Sequence, residues 1–278
     1  MFYEQTTLNC GGYLLDIIDP IVMGVINVTP DSFFKDSRVE DENTLLKQAE
    51  KMLSEGAAIL DIGGMSSRPG AEIIEEKVEL ERVLPAIKSI LKHFPEAIIS
   101  VDTIRASVAR ACVSEGAKMV NDITAGRFDD KMFQTIADFK NIPYIVMHMK
   151  GETPKTMQKQ AIYDDIALEI LDFFIERVGI LRGLHVRDII IDPGFGFGKT
   201  IEHNFELLKK IHVFKMLEVP ILAGLSRKSM IWKTLNITAE EALNGTTVCN
   251  VLALQQGAKI LRVHDVKEAI ETIKLFQM

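Results

Sequence analysis

A repeating order of short apolar runs, loops and amphipathic stretches constrains the fold of this chain more than any other feature. Several runs are apolar at successive positions, which is typical of strands in a parallel sheet covered by helices on both faces. Eight such runs occur, at 21–26, 58–62, 97–101, 118–120, 144–147, 188–191, 221–223 and 259–263. Eight strand–helix units predict a closed (β/α)8 TIM barrel, although a doubly wound sheet would show the same alternation.

Helical spacing fills the stretches between the runs. Apolar residues that recur every three or four positions form one face of a helix. Three such stripes stand out: Ile162, Ile166, Ile170, Phe174 and Val178; Ile74, Val78, Leu84, Ile87 and Leu91; and Val266, Ile270, Ile273 and Phe276. The pattern predicts a helix at each of these places.

Residues 1–19 precede the first strand–helix unit. The pair Gly11 and Gly12 is typical of a tight turn, which predicts a small N-terminal β-hairpin able to plug the bottom of the barrel. The chain has no low-complexity segment and no Pro- or Ser-rich linker. Residues 1–278 are therefore predicted to form one domain, a length that is normal for an α/β barrel.

Charge and cysteine content exclude several classes of protein. A net charge of −7 argues against a nucleic-acid-binding or membrane-binding role, so an anionic substrate would need a local cationic cluster. The three cysteines, Cys10, Cys112 and Cys249, are far apart and odd in number, as expected of reduced cysteines. The sequence shows no signal peptide and no apolar run near the roughly 20 residues that span a bilayer. A cytoplasmic location is expected.

Polar or glycine-rich residues follow the apolar runs at every predicted strand end. Barrel enzymes keep their active sites where the strands end, and burying several unsatisfied polar groups there is costly. We therefore expect an active site at this end of the barrel. The residues at the eight ends are, in order, Asn27, 61–70, Asp102, Asn121 with Asp122, His148, 192–199, Gly224 to Lys228, and Arg262 with His264.

The glycine-rich stretch 192–199 does not match a nucleotide-binding motif. Pro193 stands where a phosphate-binding loop begins with glycine, and Lys199 replaces the last glycine of a dinucleotide fingerprint. The glycines would allow backbone to approach a flat ligand, with a phenylalanine stacking or packing beside it. For Phe195 we favour a core position.

The predicted ring separates cationic from acidic groups. Strands seven and eight, where barrels usually hold phosphate, bring Ser226, Arg227, Lys228, Arg262 and His264 near Asn27 of strand one. The alternative is a set of salt bridges to Asp265 or to glutamates.

Acidic and amide groups are predicted on the side of the ring opposite the cationic groups. Asp102, Asn121 and Asp192 could bind an amidine-like edge, because a carboxylate accepts two parallel N–H bonds. The ring is thus predicted to hold an aminated bicyclic heterocycle with a diphosphate tail. No His/Cys cluster predicts a tightly held metal, and a loosely held Mg²⁺ on Asn27 stays open.

Seven motifs taken in order resemble the dihydropteroate synthase family. They are MGVINVTPDSF (23–33), DIGGMSSRPGA (61–71), SVDT (100–103), VNDI (120–123), DPGFGFGK (192–199), GLSRKS (224–229) and RVHDV (262–266). The resemblance covers nearly the whole chain. It implies the joining of 4-aminobenzoate to (7,8-dihydropterin-6-yl)methyl diphosphate, with release of diphosphate and formation of 7,8-dihydropteroate in folate biosynthesis.

The resemblance also implies roles for residues. Asp102, Asn121, Asp192 and Lys228 would hold the pterin in a slot lined by Ile123, Met147, Phe197 and Gly224. Asn27, Arg262 and His264 would bind diphosphate, with Asn27 as the Mg²⁺ ligand, and Ser67, Arg68 and Ser226 would receive 4-aminobenzoate. The catalytic residues would be Asp102, Lys228, Arg262 and His264. Loops 28–40 and 64–72 would close over the site, and the family implies a homodimer.

One position departs from the family, and three other functions compete. Ser67 stands where the family commonly has threonine, which keeps the hydroxyl but changes loop packing. The competitors are a pterin-binding methyltransferase barrel, a non-catalytic pterin-binding paralogue and a barrel enzyme with an unrelated phosphorylated substrate. The motifs at 27–33, 66–70 and 226–229 favour the synthase.

Overall fold

The N-terminal segment is the predicted hairpin. The computed structural model describes residues 5–28, 38–66, 71–151 and 161–278. Strands β1 (Thr7–Cys10) and β2 (Tyr13–Asp16) pair antiparallel, with Cys10 opposite Tyr13. Gly11 and Gly12 turn the chain at φ values of 65° and 96°, in the left-handed region that favours glycine. The Asn9 side chain accepts the Gly12 N–H at 2.7 Å and closes the turn.

Eight parallel strands form a nearly closed barrel, as predicted. They pair in the order β8-β7-β6-β5-β4-β3-β10-β9, and a single bridge between Ile191 and Ile221 joins the two ends. All eight strands begin and end within two residues of the predicted apolar runs. The strands are β3 (Ile21–Asn27), β4 (Ile59–Gly63), β5 (Ile99–Asp102), β6 (Met119–Asp122), β7 (Tyr144–Met147), β8 (Ile189–Asp192), β9 (Leu222–Ala223) and β10 (Ile260–Val263).

Helices follow the barrel strands. The helices in the described ranges are α1 (Arg38–Ser54), α2 (Glu76–His93), α3 (Ala106–Ser114), α4 (Met132–Phe139), α5 (Ile166–Gly183), α6 (Ile201–Lys210), α7 (Ser229–Leu235), α8 (Leu243–Gln255) and α9 (Val266–Phe276), with a 3-10 helix at Ile211–Leu217. The helix at Arg38–Ser54 begins inside the predicted 28–40 loop, and residues 29–37 of that loop lie outside the described residues.

The stripe that predicted α5 extends too far towards the N-terminus. Asp165 ends the preceding coil as an N-cap, because its carboxylate accepts the N–H groups of Ala167 at 2.9 Å and Leu168 at 3.2 Å. Ile162 therefore lies outside the helix and is 76% exposed. The rest of the stripe, from Ile166 to Val178, is buried as expected.

The stripes for α2 and α9 also need correction. In α2 the buried face is Glu79, Val83, Ile87 and Ile90, whereas Ile74 precedes the helix. Val78, Leu84 and Leu91 are half-buried at its margin. At the end of α9, Phe276 is 41% exposed, because no later element covers the last turn among the described residues.

Successive side chains of each barrel strand point to opposite sides of the sheet and so belong to two separate cores. Outward residues such as Leu60, Val101 and Val146 pack against the helices. Inward residues near the starts of the barrel strands pack on the N-terminal segment in a second cluster. Its N-terminal members are Leu8, Cys10, Leu15 and Ile17, and its barrel members are Met23, Ile59, Ile98, Met119, Ile145, Ile190, Leu222 and Ile260. The hairpin thus closes the bottom of the barrel, as predicted. Two positions further along, the inward residue is polar on five strands, and the candidate site begins at those residues: Asp61, Ser100, Asn121, Asp192 and Arg262.

The cysteines are all free and buried. Burial raises the pKa of the Cys10 and Cys112 thiols to about 12 and that of Cys249 to about 11, so none is a reactive thiolate. Within the described ranges, no helix is long and apolar enough to cross a membrane.

Candidate active site

Asp61 lies at the floor of the site, and the sequence pattern placed it at a strand end without assigning it a role. It faces inward from the middle of β4 and is fully buried. Its Oδ2 accepts hydrogen bonds from Arg262 Nε at 2.7 Å and from Asn121 Nδ2 at 3.0 Å. The available signal was an aspartate inside an apolar run, since a buried carboxylate needs partners.

Arg262 bridges two carboxylates. Besides the bond to Asp61, its Nη2 donates to Asp102 Oδ2 at 2.9 Å. The expected separation of cationic and acidic halves is therefore wrong at this point. Inside a narrow barrel, the long guanidinium side chain of β10 reaches the acidic residues of β4 and β5, and an unpaired buried carboxylate would be costly.

The carboxyl group of Asp102 has a strongly raised pKa. Burial, followed by the negative charge of Asp61, raises its pKa to about 7, although the Arg262 guanidinium opposes the rise. The Asp102 carboxyl therefore changes its charge near neutral pH. Titratable groups with shifted pKa values in a cleft are typical of functional sites.

The stretch 192–199 wraps around the second acidic residue. Asp192 Oδ1 accepts the Gly194 N–H at 2.8 Å, which leaves its other oxygen for a ligand. Gly194 has a φ of 68°, and a Cβ there would lie 1.9 Å from the carbonyl oxygen of His148. Only glycine fits this approach. Phe195 is fully buried in the core, as favoured, and Phe197 is half-buried at the slot.

Lys228 points into the same region. Its Nζ donates to the carbonyl oxygen of Phe195 and lies 4.6 Å from the centre of the Phe197 ring. Burial lowers the pKa of Lys228 to about 8, although the Asp192 charge opposes this. Lys228 and Asp192 therefore share one wall of the slot, although the sequence pattern placed them on opposite sides of the ring.

Lys199 and His148 form a buried pair under this loop, and neither was a predicted site residue. Lys199 Nζ lies 3.0 Å from His148 Nδ1 and donates to the carbonyl oxygens of Gly194 and Phe197 at 2.9 and 3.1 Å. Burial lowers the pKa of both groups well below their usual values. The pair fixes the loop rather than facing a ligand. The signal was the lysine that ends the glycine-rich stretch.

Four predicted site residues lie at the mouth of the barrel or between the walls of the slot: Ser226, His264, Gly224 and Asn27. Ser226 Oγ and His264 Nδ1 are 3.1 Å apart, and the His264 ring is exposed. A Cβ on Gly224 would lie 3.9 Å from Asp192 Oδ2 and 4.0 Å from Arg262 Cβ, so Gly224 separates those two side chains. Asn27 ends β3, and its Oδ1 is on the same side of Gly63 as Asp102.

Apolar side chains form the remaining wall. Ile123 and Met147 are buried in one small cluster, against which Phe197 packs. The other members of the cluster are Met65, Ile104, Met149, Ile73 and Ile74. A flat heterocycle between this wall and the polar groups would be covered on its face and bonded at its edge.

Arg227 does not belong to the site. Its guanidinium makes a two-point ion pair with Asp265, with nitrogen–oxygen distances of 2.8 and 2.9 Å, and it also donates to the Ala239 carbonyl oxygen. The salt-bridge alternative is therefore correct for this residue. Its backbone φ of 54° turns it away from its neighbours Ser226 and Lys228. Ser67 and Arg68 lie outside the described residues.

Three buried polar atoms of the barrel interior have no hydrogen-bond partner among the described residues. They are Asp61 Oδ1, Ser100 Oγ and Asn121 Oδ1, from the adjacent strands β4, β5 and β6. Buried polar atoms are almost always bonded, so unpaired ones in a cleft indicate groups that a ligand or water satisfies. No group of three or more His, Cys, Asp or Glu side chains suited to a metal occurs in the described ranges.

The fold and this site define a barrel enzyme with a slot for a nitrogen heterocycle. A family model described as "Pterin binding enzyme" matches residues 23–264. The dihydropteroate synthase of Escherichia coli K12 is 41% identical over 96% of this chain and 94% of its own length. That of Haemophilus influenzae is 39% identical over 95% of both chains.

Solved structures agree. The Yersinia pestis dihydropteroate synthase in complex with a sulfonamide drug superposes with a TM-score of 0.89, at 38% identity over 98% of both chains. The Xanthomonas albilineans enzyme with 4-aminobenzoic acid has the same TM-score at 36% identity, over 98% of this chain and 97% of that one. This chain belongs to the dihydropteroate synthase family.

Proposed function

We propose that this protein condenses (7,8-dihydropterin-6-yl)methyl diphosphate with 4-aminobenzoate, releasing diphosphate and forming 7,8-dihydropteroate in folate biosynthesis. The observation that carries the proposal is the buried slot in which Asp192 and Lys228 share one wall and the side-chain oxygen of Asn121 has no partner among the described residues. Solved relatives bound to 4-aminobenzoic acid and to 7,8-dihydropteroate support it.

The slot suits the 2-amino-pyrimidinone edge of a pterin. The free Asp192 oxygen and Asn121 Oδ1 accept N–H groups, while the Lys228 ammonium donates to a carbonyl oxygen or ring nitrogen. Ile123, Met147 and Phe197 cover the ring, and Gly224 leaves room beside it.

The diphosphate end lies towards the mouth. Arg262 keeps Nη1 for an anionic oxygen, because its Nε and Nη2 are bonded to Asp61 and Asp102. His264 and Asn27 are the further ligands that we assign to the leaving group. Preorganised cations at a departing oxyanion stabilise the charge that develops there.

Asn27 also fits Mg²⁺. One side-chain oxygen together with substrate phosphates and water is a usual magnesium environment, whereas the described residues offer no carboxylate cage for a resident ion. A bound Mg²⁺ would supply Lewis-acid stabilisation of the leaving diphosphate.

The residues then support a dissociative substitution. The bond from the pterin methylene carbon to the diphosphate oxygen breaks with its electron pair on oxygen, which leaves a cation conjugated with the dihydropterin. The ionised Asp102 carboxylate beside the ring offsets that positive charge. The 4-aminobenzoate nitrogen then bonds to the methylene carbon and releases one proton to water. Ser67, Arg68 and Ser226 are assigned to 4-aminobenzoate, and the loops around 28–40 and 64–72 to the exclusion of water.

We also propose that the protein is a homodimer of one-domain subunits in the cytoplasm. Neighbouring helices α8 and α9 expose apolar side chains, with Val248, Leu252 and Leu275 being 53%, 40% and 78% exposed. Exposed apolar groups on adjacent elements favour a protein contact there. Sedimentation equilibrium should give twice the subunit mass, and Val248→Asp with Leu252→Asp should give monomers. Leu168→Asp, on α5, is the matched control and should leave the dimer intact.

The decisive experiment measures diphosphate release by the purified protein with the pterin diphosphate and Mg²⁺, with and without 4-aminobenzoate. We expect release coupled to dihydropteroate formation. Pterin binding without product would instead support the methyltransferase or the non-catalytic function, and no pterin binding would support an unrelated phosphorylated substrate.

A further inference from the structure

Asp61 differs from the other fully buried carboxylates in what it contacts. Its Oδ2 is bonded only to Asn121 and Arg262, two residues that we assign to substrate, and its Oδ1 has no partner in the described residues. Asp122, on β6, is equally buried, but Thr124, Gly126 and Tyr144 satisfy both of its oxygens. Asp122 therefore holds its own turn, whereas Asp61 contacts the slot.

The Asp61 carboxylate decides which way the Asn121 amide faces. An ionised carboxylate can only accept, so the Asn121 atom that lies 3.0 Å away must be the NH₂ group. The amide oxygen then points away from Asp61, where it is buried and unpartnered. If residue 61 were a hydrogen-bond donor, the Asn121 amide could turn over and present its NH₂ group to the ligand. It could then no longer accept a hydrogen bond from an N–H group of the ligand.

Asp61 also limits the motion of Arg262. Asp61 Oδ2 lies 2.7 Å from both Nε and Nη2 of the guanidinium, and Nη2 also donates to Asp102 Oδ2 at 2.9 Å. Two contacts on one plane define its orientation, and they leave Nη1 for the leaving group. If Arg262 were bonded to Asp102 alone, its guanidinium plane could rotate about that single contact.

We propose that Asp61 is the positioning residue of the slot: it orients Asn121 to accept an N–H group of the pterin and orients Arg262 towards the diphosphate. This inference rests on the proposed function and deepens it. It assigns to Asp61 no contact with the reacting atoms.

Two ligands test separately the two roles of Asp61, the orientation of Asn121 and the orientation of Arg262. The first is 7,8-dihydropterin-6-ylmethanol, which lacks the diphosphate, and the second is inorganic diphosphate with Mg²⁺. By calorimetry, we expect Asp61→Asn to weaken binding of each probe roughly tenfold, because a charge-assisted bond is lost on both Asn121 and Arg262. The KM for 4-aminobenzoate should stay within about twofold of wild type, since Asp61 contacts no residue assigned to that substrate.

The matched control is Asp122→Asn. It removes another fully buried carboxylate and should lower Tm, but it should leave the Kd of both probes within about twofold of wild type. Equal effects of the two variants on the probes would make Asp61 a structural residue and overturn the proposal. If Asp61→Asn does not fold, Asp61→Ser, which keeps an acceptor without the charge, replaces it.

An exchange of the two residues gives the sharpest test. Asn121→Asp alone puts two carboxylates against each other and should bind the pterin alcohol more weakly than Asp61→Asn does. Combining Asp61→Asn with Asn121→Asp restores a donor–acceptor pair with an oxygen facing the slot, so affinity should recover roughly tenfold over Asn121→Asp. No recovery would overturn the proposal. Because both probes are measured at equilibrium, these results do not depend on whether wild type forms dihydropteroate.

Discussion

The Asp102 carboxyl group forms an ion pair and is also buried beside a second acidic residue, and these two conditions affect its pKa in opposite directions. Its carboxylate pairs with Arg262, yet burial and the Asp61 charge raise its pKa to about 7. We therefore expect the charge of the Asp102 carboxyl to depend on pH near neutrality. Only the ionised form can offset positive charge on a dihydropterin.

The pH profile should reveal this group. We expect kcat/KM for the pterin substrate to rise with pH through about 7, because ionised Asp102 increases over that range. Asp102→Asn should lower activity and remove this limb from the profile. An unchanged acidic limb in Asp102→Asn would assign the titration to another group.

Two further side chains test the slot directly. Lys228→Ala and Asp192→Asn should each lose most activity while folding normally, because Lys228 and Asp192 form the polar wall that we assign to the pterin. Steady-state assays with a circular dichroism check of folding would measure both. Near-native turnover in either variant would contradict the assignment.

At the scale of elements, the loop after β8 depends on one backbone geometry. Gly194 approaches the carbonyl oxygen of His148 too closely for any side chain, and Lys199 ties the loop's carbonyl oxygens together. This rigidity places Phe197 and the Phe195 carbonyl oxygen that holds Lys228.

Gly194→Ala should therefore reduce both stability and activity. A positive φ of 68° and a clash with backbone together cost on the order of 1–3 kcal/mol or more. The control is Gly179→Ala in α5, where a Cβ meets nothing within 4 Å. That change should stabilise the protein by about 0.5–1 kcal/mol, because alanine favours a helix, and should leave kcat unaltered. Denaturant titration and activity assays would separate the two.

At the scale of the whole molecule, the hairpin and the barrel share one core. Leu8, Cys10, Leu15 and Ile17 pack against the first inward residue of the barrel strands, so the plug is not an independent unit. The barrel interior is thus apolar at the bottom and polar towards the mouth.

Leu8→Ala should destabilise the entire protein. Truncating a fully buried leucine costs about 2–5 kcal/mol. Because we infer one domain, unfolding should stay a single cooperative transition with a lower midpoint, as followed by calorimetry and circular dichroism. Separate loss of the hairpin before the barrel would contradict that inference. Activity of the folded fraction should be retained, since Leu8 is at the opposite end from the site.

Local pattern was sufficient for much of this protein. The strands, the hairpin and the ring of polar strand ends follow from hydrophobic periodicity, glycine pairs and the rule that parallel strands end on one face. Their positions at strand ends and the family motifs predicted Asp102, Asn121, Asp192 and Lys228 as slot residues, an assignment that the variants above would test. The ends of α2, α5 and α9 were less accurate, because an apolar stripe continues past a cap such as Asp165.

Only the tertiary structure decided how those residues pair. That Arg262 spans Asp61 and Asp102, that Arg227 turns to Asp265, and that Lys199 meets His148 depend on distances between strands far apart in sequence. Sequence by itself determined which side chains reach the mouth of the barrel, because alternation along a strand is a local property. Their partners were decided by barrel closure, because electrostatic and hydrogen-bond energies depend on a few ångströms that no local pattern encodes.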